Sequence, residues 1–335
     1  MAAVACFGEL LLRLAAPGRE LLLQRPHLDV HIGGAEANVA VGLASLGHRT
    51  RVVSAVPANA LGDAAIGYLR RYGVDTSAVS ATPGRMGLYF LAPGAGLRAS
   101  EIVYDREGSS FANARPGDFD WDRLLEGVDL LHLSGITPAL GPLSAEAAIA
   151  AAEAAGRLGV PISFDGNYRA QLWERWDSRP RDILTKLVAR AEILFGNHRD
   201  VGLLLGESFS GDGADRRRHA AEAAFQAFPN LKMIASTARH IDDADRHRIS
   251  ARIDTPDGAA QTEEVVVAGI IDRIGAGDAF ATGVLHGLRS GRDLDWTVRS
   301  GLAVTALKHS LPGDASLFGP RDIDAFMSGE LDVRR

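Results

Sequence analysis

Between Leu130 and Leu288, short apolar runs alternate with longer stretches whose apolar residues recur at helical spacing. Leu130 to Leu133, Pro161 to Phe164, Ile193 to Phe195 and Lys232 to Ala235 read as strands. Ser144 to Leu158, Pro180 to Arg190, Arg216 to Phe228 and the segment after Asp278 read as helices. Short apolar strands separated by helices are covered on both faces, the condition under which parallel sheets form. The expected fold class is therefore α/β: a doubly wound, mostly parallel sheet flanked by helices.

The N-terminal third keeps a different rhythm. Val4 to Leu14 reads as a first strand and residues 20 to 31 as further extended sequence. Ala35 to Leu46 and Ala64 to Tyr72 read as helices, with a strand at Arg51 to Val56. Residues 86 to 91 and 101 to 105 form two short strands around Pro93-Gly94-Ala95-Gly96, with no helix behind them. The segments 10–31 and 86–105 are thus expected to build a small sheet inserted in one domain spanning 1–335. The charged segments 208–218 and 239–249 read as exposed loops.

A 335-residue chain with 46% hydrophobic residues has ample core for one large α/β unit. A net charge of −6 argues against nucleic acid or an acidic membrane surface as partners. No stretch approaches the roughly 18 apolar residues that span a bilayer. Leu10-Leu11-Leu12 is interrupted by Glu9 and Arg13 and follows no basic segment, unlike a signal peptide. The single cysteine, Cys6, excludes an internal disulfide and fits a reducing, cytoplasmic setting.

Chemistry concentrates in a few segments. In Asp272-Arg273-Ile274-Gly275-Ala276-Gly277-Asp278 a small-residue turn opens a helix, so the N–H groups of Gly275, Ala276 and Gly277 are expected to be free for an anion. A carboxylate beside bound anion repels it, unless that carboxylate takes the proton of a hydroxyl attacking a phosphoryl group; Asp278 has that placement. Gly33-Gly34-Ala35-Glu36-Ala37-Asn38 opens another helix, but without the third glycine of a dinucleotide fingerprint. Tyr89 and Tyr104-Asp105-Arg106 lie on the short strands, and phenols with a guanidinium suit a polyhydroxylated acid. Asp165-Gly166-Asn167-Tyr168-Arg169 and Asn197-His198-Arg199-Asp200 each follow a strand, where open α/β sheets bind ligands. Asn197 and Asp200 either hold the waters of a phosphate-bound Mg²⁺ or cap the next helix.

Together these segments resemble the ribokinase, or phosphofructokinase-B, family of carbohydrate kinases, over nearly the whole chain. Within it, Gly33 to Ala40, Gly87-Leu88-Tyr89, Leu131 to Ile136 and Asp165 to Arg169 are most similar to 2-keto-3-deoxygluconate kinases. The resemblance implies a ribokinase-like core with a small β lid, ATP as phosphoryl donor with Mg²⁺, Asp278 as base and the Gly275–Asp278 amides as anion hole. It also implies that Gly34, Asn38, Tyr89, Tyr104, Arg106 and Arg169 line a sugar-acid pocket. Asn167, Asn197 and Ser236, with Gly275 and Gly277, fall on the nucleotide side, and Asp200 on the metal. Three departures stand out: Arg273-Ile274 before Gly275, Asp200 where the family has Glu, and Ala235-Ser236-Thr237-Ala238-Arg239 where a Lys-Gly or Arg-Gly turn is usual.

A kinase for a neutral sugar such as fructose or ribose, and a non-catalytic sugar-acid sensor on the same scaffold, are the rival readings. Small-molecule sugar acid and ATP are the expected partners. The exposed edge of a small lid sheet favours a homo-oligomer.

Overall fold

The structure is a computed structural model and describes residues 2–176, 178–211 and 213–330. Its main sheet runs, from one edge, through Gly258–Gln261, Arg246–Thr255, Met233–Asp243, Ile193–Phe195, Ile162–Asp165, Val128–Ser134, Ala3–Phe7, Thr50–Pro57 and Val79–Thr82. Neighbours from Met233–Asp243 to Val79–Thr82 are parallel. The strands beyond Met233–Asp243 pair antiparallel, and Val265–Ala268 adds to Arg246–Thr255. Ala3–Phe7 shows why both faces need helices. Ala5 and Phe7 enter one apolar core with the helices Pro142–Leu158 and Pro180–Val188, while Val4 and Cys6 enter another with Ala35–Ser45 and Ala276–Arg289.

The second sheet is small: Asp29–Gly33, Leu11–Ala15, Gly87–Ala92 and Glu101–Asp105, in that order. It is the expected lid sheet, but the chain reaches it differently. The run Val4 to Leu14 is two strands in two sheets, Ala3–Phe7 and Leu11–Ala15. Gly8 and Glu9 make the crossing: a Cβ on Gly8 would overlap the buried Glu36 carboxylate, and Glu9 turns inward to Arg106 and Ser109. An apolar run conceals such a break because both halves are buried. Of residues 20–31, only the part from Asp29 is strand.

The segment 239–249 is not a loop. Met233–Asp243 and Arg246–Thr255 form a long hairpin, whose exposed rungs carry ion pairs from Asp242 and Glu264 to Arg248 and from Glu264 to His240. From Arg246 to Ile249 burial alternates, with His247 and Ile249 inside, a period-two pattern masked by the density of charge; from Ile249 to Asp254 the strand is buried on both faces. Residues 213–218 of the other charged segment begin the helix Gly213–Ala227. Val79–Thr82, Gly258–Gln261, Leu294–Lys308 and Pro320–Ser328 are further elements, and the helix that Asn197 caps is His198–Leu205. No helix among the described residues is long and apolar enough to cross a membrane.

The helix Ala276–Arg289 packs against Leu294–Lys308 through glycines. A Cβ on Gly283 would lie 2.5 Å from the Ser300 carbonyl oxygen, and one on Gly301 would lie 2.7 Å from the Phe280 ring. This close seat fixes the helix whose first turn carries Asp278. Gly283→Ala is therefore expected to cost about 1–3 kcal/mol through overpacking. Gly67→Ala, at an open helical position with nothing within 4 Å, is expected to gain about 0.5–1 kcal/mol. Denaturant unfolding of the two variants checks the pair; equal midpoints contradict the packing argument.

Candidate active site

A cavity of about 830 Å³ opens between the small sheet and the rim of the main sheet. Two helix N-termini converge on it. The first helix, Ala35–Ser45, starts at Gly34, whose φ of 145° and close approach to the Glu9 carbonyl exclude a side chain. The second, Ala276–Arg289, starts at Gly275, which is left-handed (φ 76°) and lies against the Asp314 carbonyl so closely that a Cβ would overlap it. The helices lean on each other where Gly42 meets Thr282, and Asn38 Nδ2 donates to Asp278 Oδ2 at 2.7 Å.

The helix begins at Ala276, not behind Asp278, so Asp278 lies within its first turn. The amides also differ from expectation. Ala276 N–H already donates to the Arg273 carbonyl at 3.3 Å, whereas Gly275 and Gly277 N–H have no backbone partner among the described residues. Two free amides at a helix N-terminus, beside a carboxylate, form a site for a negatively charged group and a proton acceptor together.

Asp278 is part-buried, enclosed by protein except where its carboxylate meets the cavity. Burial pushes it up to about 8; the Asn38 hydrogen bond opposes this, while the charges of Asp165, Asp314 and Glu36 add to it. Asp165, at the end of its strand, is pushed up to about 7 by burial, with Arg169 pulling down and Asp200 adding to the rise. Its neighbour Asn167 has φ 38°, a conformation uncommon outside glycine, and its N–H donates to Asp165 Oδ1 at 3.1 Å.

Every site residue named from the sequence lines this cavity: Gly34, Asn38, Tyr89, Tyr104, Arg106, Asn167, Arg169, Asn197, Asp200, Ser236 and Gly275 to Asp278. Several already have partners. Tyr89 donates its hydroxyl to Asp314 Oδ2 at 2.7 Å, and Arg106 Nε donates to Glu9 Oε2 at 2.6 Å. The hydroxyl of Tyr89 is thus engaged before any ligand arrives, and Arg106 offers only its outer nitrogens. Asp200 accepts from Asn197 N–H at 2.7 Å and Asn197 from Arg199 N–H at 2.8 Å, the helix-capping alternative. No group of three acidic, histidine or cysteine side chains that could hold a metal occurs among the described residues.

Behind the anion site lies a cluster that no local pattern announced. Arg13 Nη2 donates to Asp272 Oδ2 at 2.6 Å, and its Nη1 lies 3.0 Å from Asp314 Oδ1. Asp272 also accepts from Ile274 N–H and Gly313 N–H, and the buried Lys308 donates to the Leu311 carbonyl at 3.0 Å.

The sequence matches the pfkB family carbohydrate kinases over residues 1–317. The chain belongs to this family. It is 28% identical to the 2-dehydro-3-deoxygalactonokinase of Haloferax volcanii, over 98% of this chain and 97% of that protein. Identity to the 2-dehydro-3-deoxygluconokinase of Bacillus subtilis is also 28%, over 91% of this chain and 89% of the other. The crystal structure of the 2-dehydro-3-deoxygluconokinase of Thermotoga maritima superposes with a TM-score of 0.93 at 35% identity, covering 98% of this chain and 100% of that one. As a pfkB carbohydrate kinase, the chain has the α/β architecture and small second sheet expected from its sequence.

In such a kinase the acceptor hydroxyl loses its proton during transfer. Asp278→Asn, nearly isosteric, is expected to lower kcat by at least about a hundredfold with little change in substrate binding. Steady-state kinetics check this, and activity within a few-fold of wild type moves the base elsewhere. A base must be ionised, so kcat/KM is expected to fall as pH drops through the free-enzyme value of the Asp278–Asp165 pair. Since burial raises both carboxyls, the acid limb should lie near neutrality or above, not near pH 4. A pH–rate profile flat from pH 5 to 8 contradicts the raised values.

Proposed function

We propose that this carbohydrate kinase transfers the γ-phosphoryl group of ATP to the terminal hydroxyl of 2-keto-3-deoxygluconate, giving 2-keto-3-deoxy-6-phosphogluconate. The observation that carries the reading is the joining of Asp278, Asn38 and the free Gly275 and Gly277 amides at one end of a cavity whose other wall holds Tyr104, Arg106 and Arg169. Asp278 accepts the hydroxyl proton as the oxygen bonds to phosphorus, and the bond from phosphorus to the bridging oxygen breaks, leaving ADP. The amides face the charge on the transferred group, where fixed donors need no reorganisation.

On the sugar side, Gly34 allows close approach of the ligand, Asn38 orients it, and Tyr104, Arg106 and Arg169 meet its hydroxyls and carboxylate. On the nucleotide side the reading assigns Asn167, Asn197 and Ser236, with Asp200 toward the waters of Mg²⁺. Mg²⁺ supplies neutralisation of phosphate charge when bound. The names of the similar proteins support a deoxy-keto sugar acid, with both gluconate and galactonate epimers represented. Pairing of two copies through the small sheet belongs to the same proposal.

One observation favours the neutral-sugar alternative. The ion pair with Glu9 neutralises Arg106, so the pocket is less positive than two free arginines would make it. This also decides which variant is informative. Arg106→Ala strands a buried Glu9 carboxylate and disturbs folding, whereas Arg169 is exposed and hydrogen-bonds to the adjacent Tyr168 carbonyl; its loss also removes a charge that lowers Asp165, so binding rather than kcat is the readout. Arg169→Ala is expected to weaken the sugar acid by about 1.5–3 kcal/mol with little effect on a neutral sugar. Coupled assays of wild type and variant with 2-keto-3-deoxygluconate, its galactonate epimer, fructose and ribose check it. Preference of the wild type for fructose or ribose rejects the sugar-acid reading, and absence of transfer to all four rejects this substrate class.

A further inference from the structure

We infer that Arg239 and Arg273 form a two-armed clasp for the outer phosphates of the nucleoside triphosphate. The inference rests on the phosphotransferase reading but not on the choice of sugar.

The two side chains come from different elements and line the same cavity. Arg273 belongs to the loop entering the anion site, and the residues on either side of it are fixed. Asp272 is held by Arg13, and Ile274 packs with Leu11, Tyr89 and Leu91 on the lid side. Arg239 follows Ser236 and Thr237 along the hairpin strand, whose tip meets the small-sheet loop where Ala244 N–H donates to the Gly96 carbonyl at 2.8 Å. Both arginines line the cavity together with the Gly275–Asp278 anion site.

Neither guanidinium has an ion-pair partner among the described residues, although Arg246 and Arg248 on the same hairpin pair with Asp242. The rings packed near them, those of His247 and His309, lie 5.9 Å apart; burial first, and the charge of Arg239 as well, make both less basic, while Asp243 and Asp242 oppose this at His247. Arg239, exposed along one side, is disfavoured as a cation first by desolvation and then by the charge of Arg273. Two cations that disfavour one another are relieved by a polyanion between them. A monoanionic carboxylate satisfies one of them at most. Adjacent phosphates satisfy both, and arginine's planar fork suits phosphate oxygens.

The clasp has a role in the reaction itself. When the bond between the γ-phosphorus and the bridging oxygen breaks, its electron pair stays on the departing diphosphate. The hydroxyl oxygen gains the phosphorus and its proton passes to Asp278. Fixed guanidinium groups beside that diphosphate stabilise the charge as it grows. Arg273, two residues before Gly275, acquires a function on this account.

The test is calorimetric titration of wild type, Arg239→Gln and Arg273→Gln with Mg-ATP, with AMP and with the sugar that the wild type phosphorylates, alongside steady-state kinetics. Each variant is expected to bind ATP at least about tenfold more weakly, to bind AMP and sugar unchanged, and to lose about tenfold or more in kcat. Arg273→Lys, which keeps the charge without the fork, should recover part of the loss and serves if the glutamine variant folds poorly. Equal losses for ATP and AMP, or no loss for ATP, overturn the clasp. Loss confined to the sugar acid overturns it as well and assigns the arginines to the carboxylate. A wild type that phosphorylates a neutral sugar rejects the proposed substrate but leaves every arm of this test intact.

Discussion

The guanidinium of Arg13 lies between two carboxylates from loops far apart in sequence, Asp272 and Asp314, with essentially no access to water. Removing such a charge from solvent costs several kcal/mol, which only well-placed counter-charges offset. Burial alone would favour loss of the Arg13 proton, but Asp314 and Asp272 outweigh it and keep the cation. Arg13 stands on the small sheet directly opposite Tyr89, whose hydroxyl reaches the same Asp314. Asp272 and Asp314 in turn define the loops that cross at Gly275. One charge cluster therefore sets the height of the lid sheet above the anion site.

Charge is partitioned around the cavity with the same economy. The carboxyls of Asp278 and Asp165 line it and are raised by burial, as is that of Glu36, which is buried in the protein nearby. Glu36 is satisfied by the hydroxyls of Ser134 and Thr137, at 2.6 and 2.9 Å. Asp278 has a single neutral donor, Asn38, so it keeps an affinity for protons that a guanidinium partner would have abolished. Cations line the same cavity, Arg106 buried beside Glu9 and Arg169 exposed. A net-negative protein can hold an anionic substrate because its local field, not its total charge, meets it.

Much of this was legible in the sequence, for identifiable reasons. The parallel strands announce themselves because burial on both faces makes them continuously apolar. Gly34 and Gly275 announce themselves because no other residue fits a positive φ pressed against a neighbouring carbonyl. Asp278 and Asn38 follow from two helix starts, whereas Asp165 stood in a legible segment without a role of its own. What stayed hidden depends on contacts between distant segments. Nothing near Asp314 marks it as a partner for Arg13, and Arg106 looks free until Glu9 is found beneath it. The hairpin through 239–249 was obscured because its charged rungs mimic loop composition, although His247 and Ile249 keep the alternation of a strand. Asn197 and Asp200 were open between capping and metal service, and one oxygen of Asp200 is already committed to the cap.

The bonds that assemble the site join the two ends of the chain. Arg13 to Asp272 spans 259 positions, Asn38 to Asp278 spans 240, and Tyr89 to Asp314 spans 225. Closing loops of that size costs entropy before any contact repays it, so these bonds form late. During synthesis the lid strands emerge first and wait, with Arg13 lacking both counter-charges, until the final helices leave the ribosome. Throughout that interval the buried cation has no place to be buried. A chain without the segment that carries Asp314 leaves Arg13 one counter-charge short and Tyr89 without its acceptor, so closure of the site waits on a segment far along the chain from the sheet it positions.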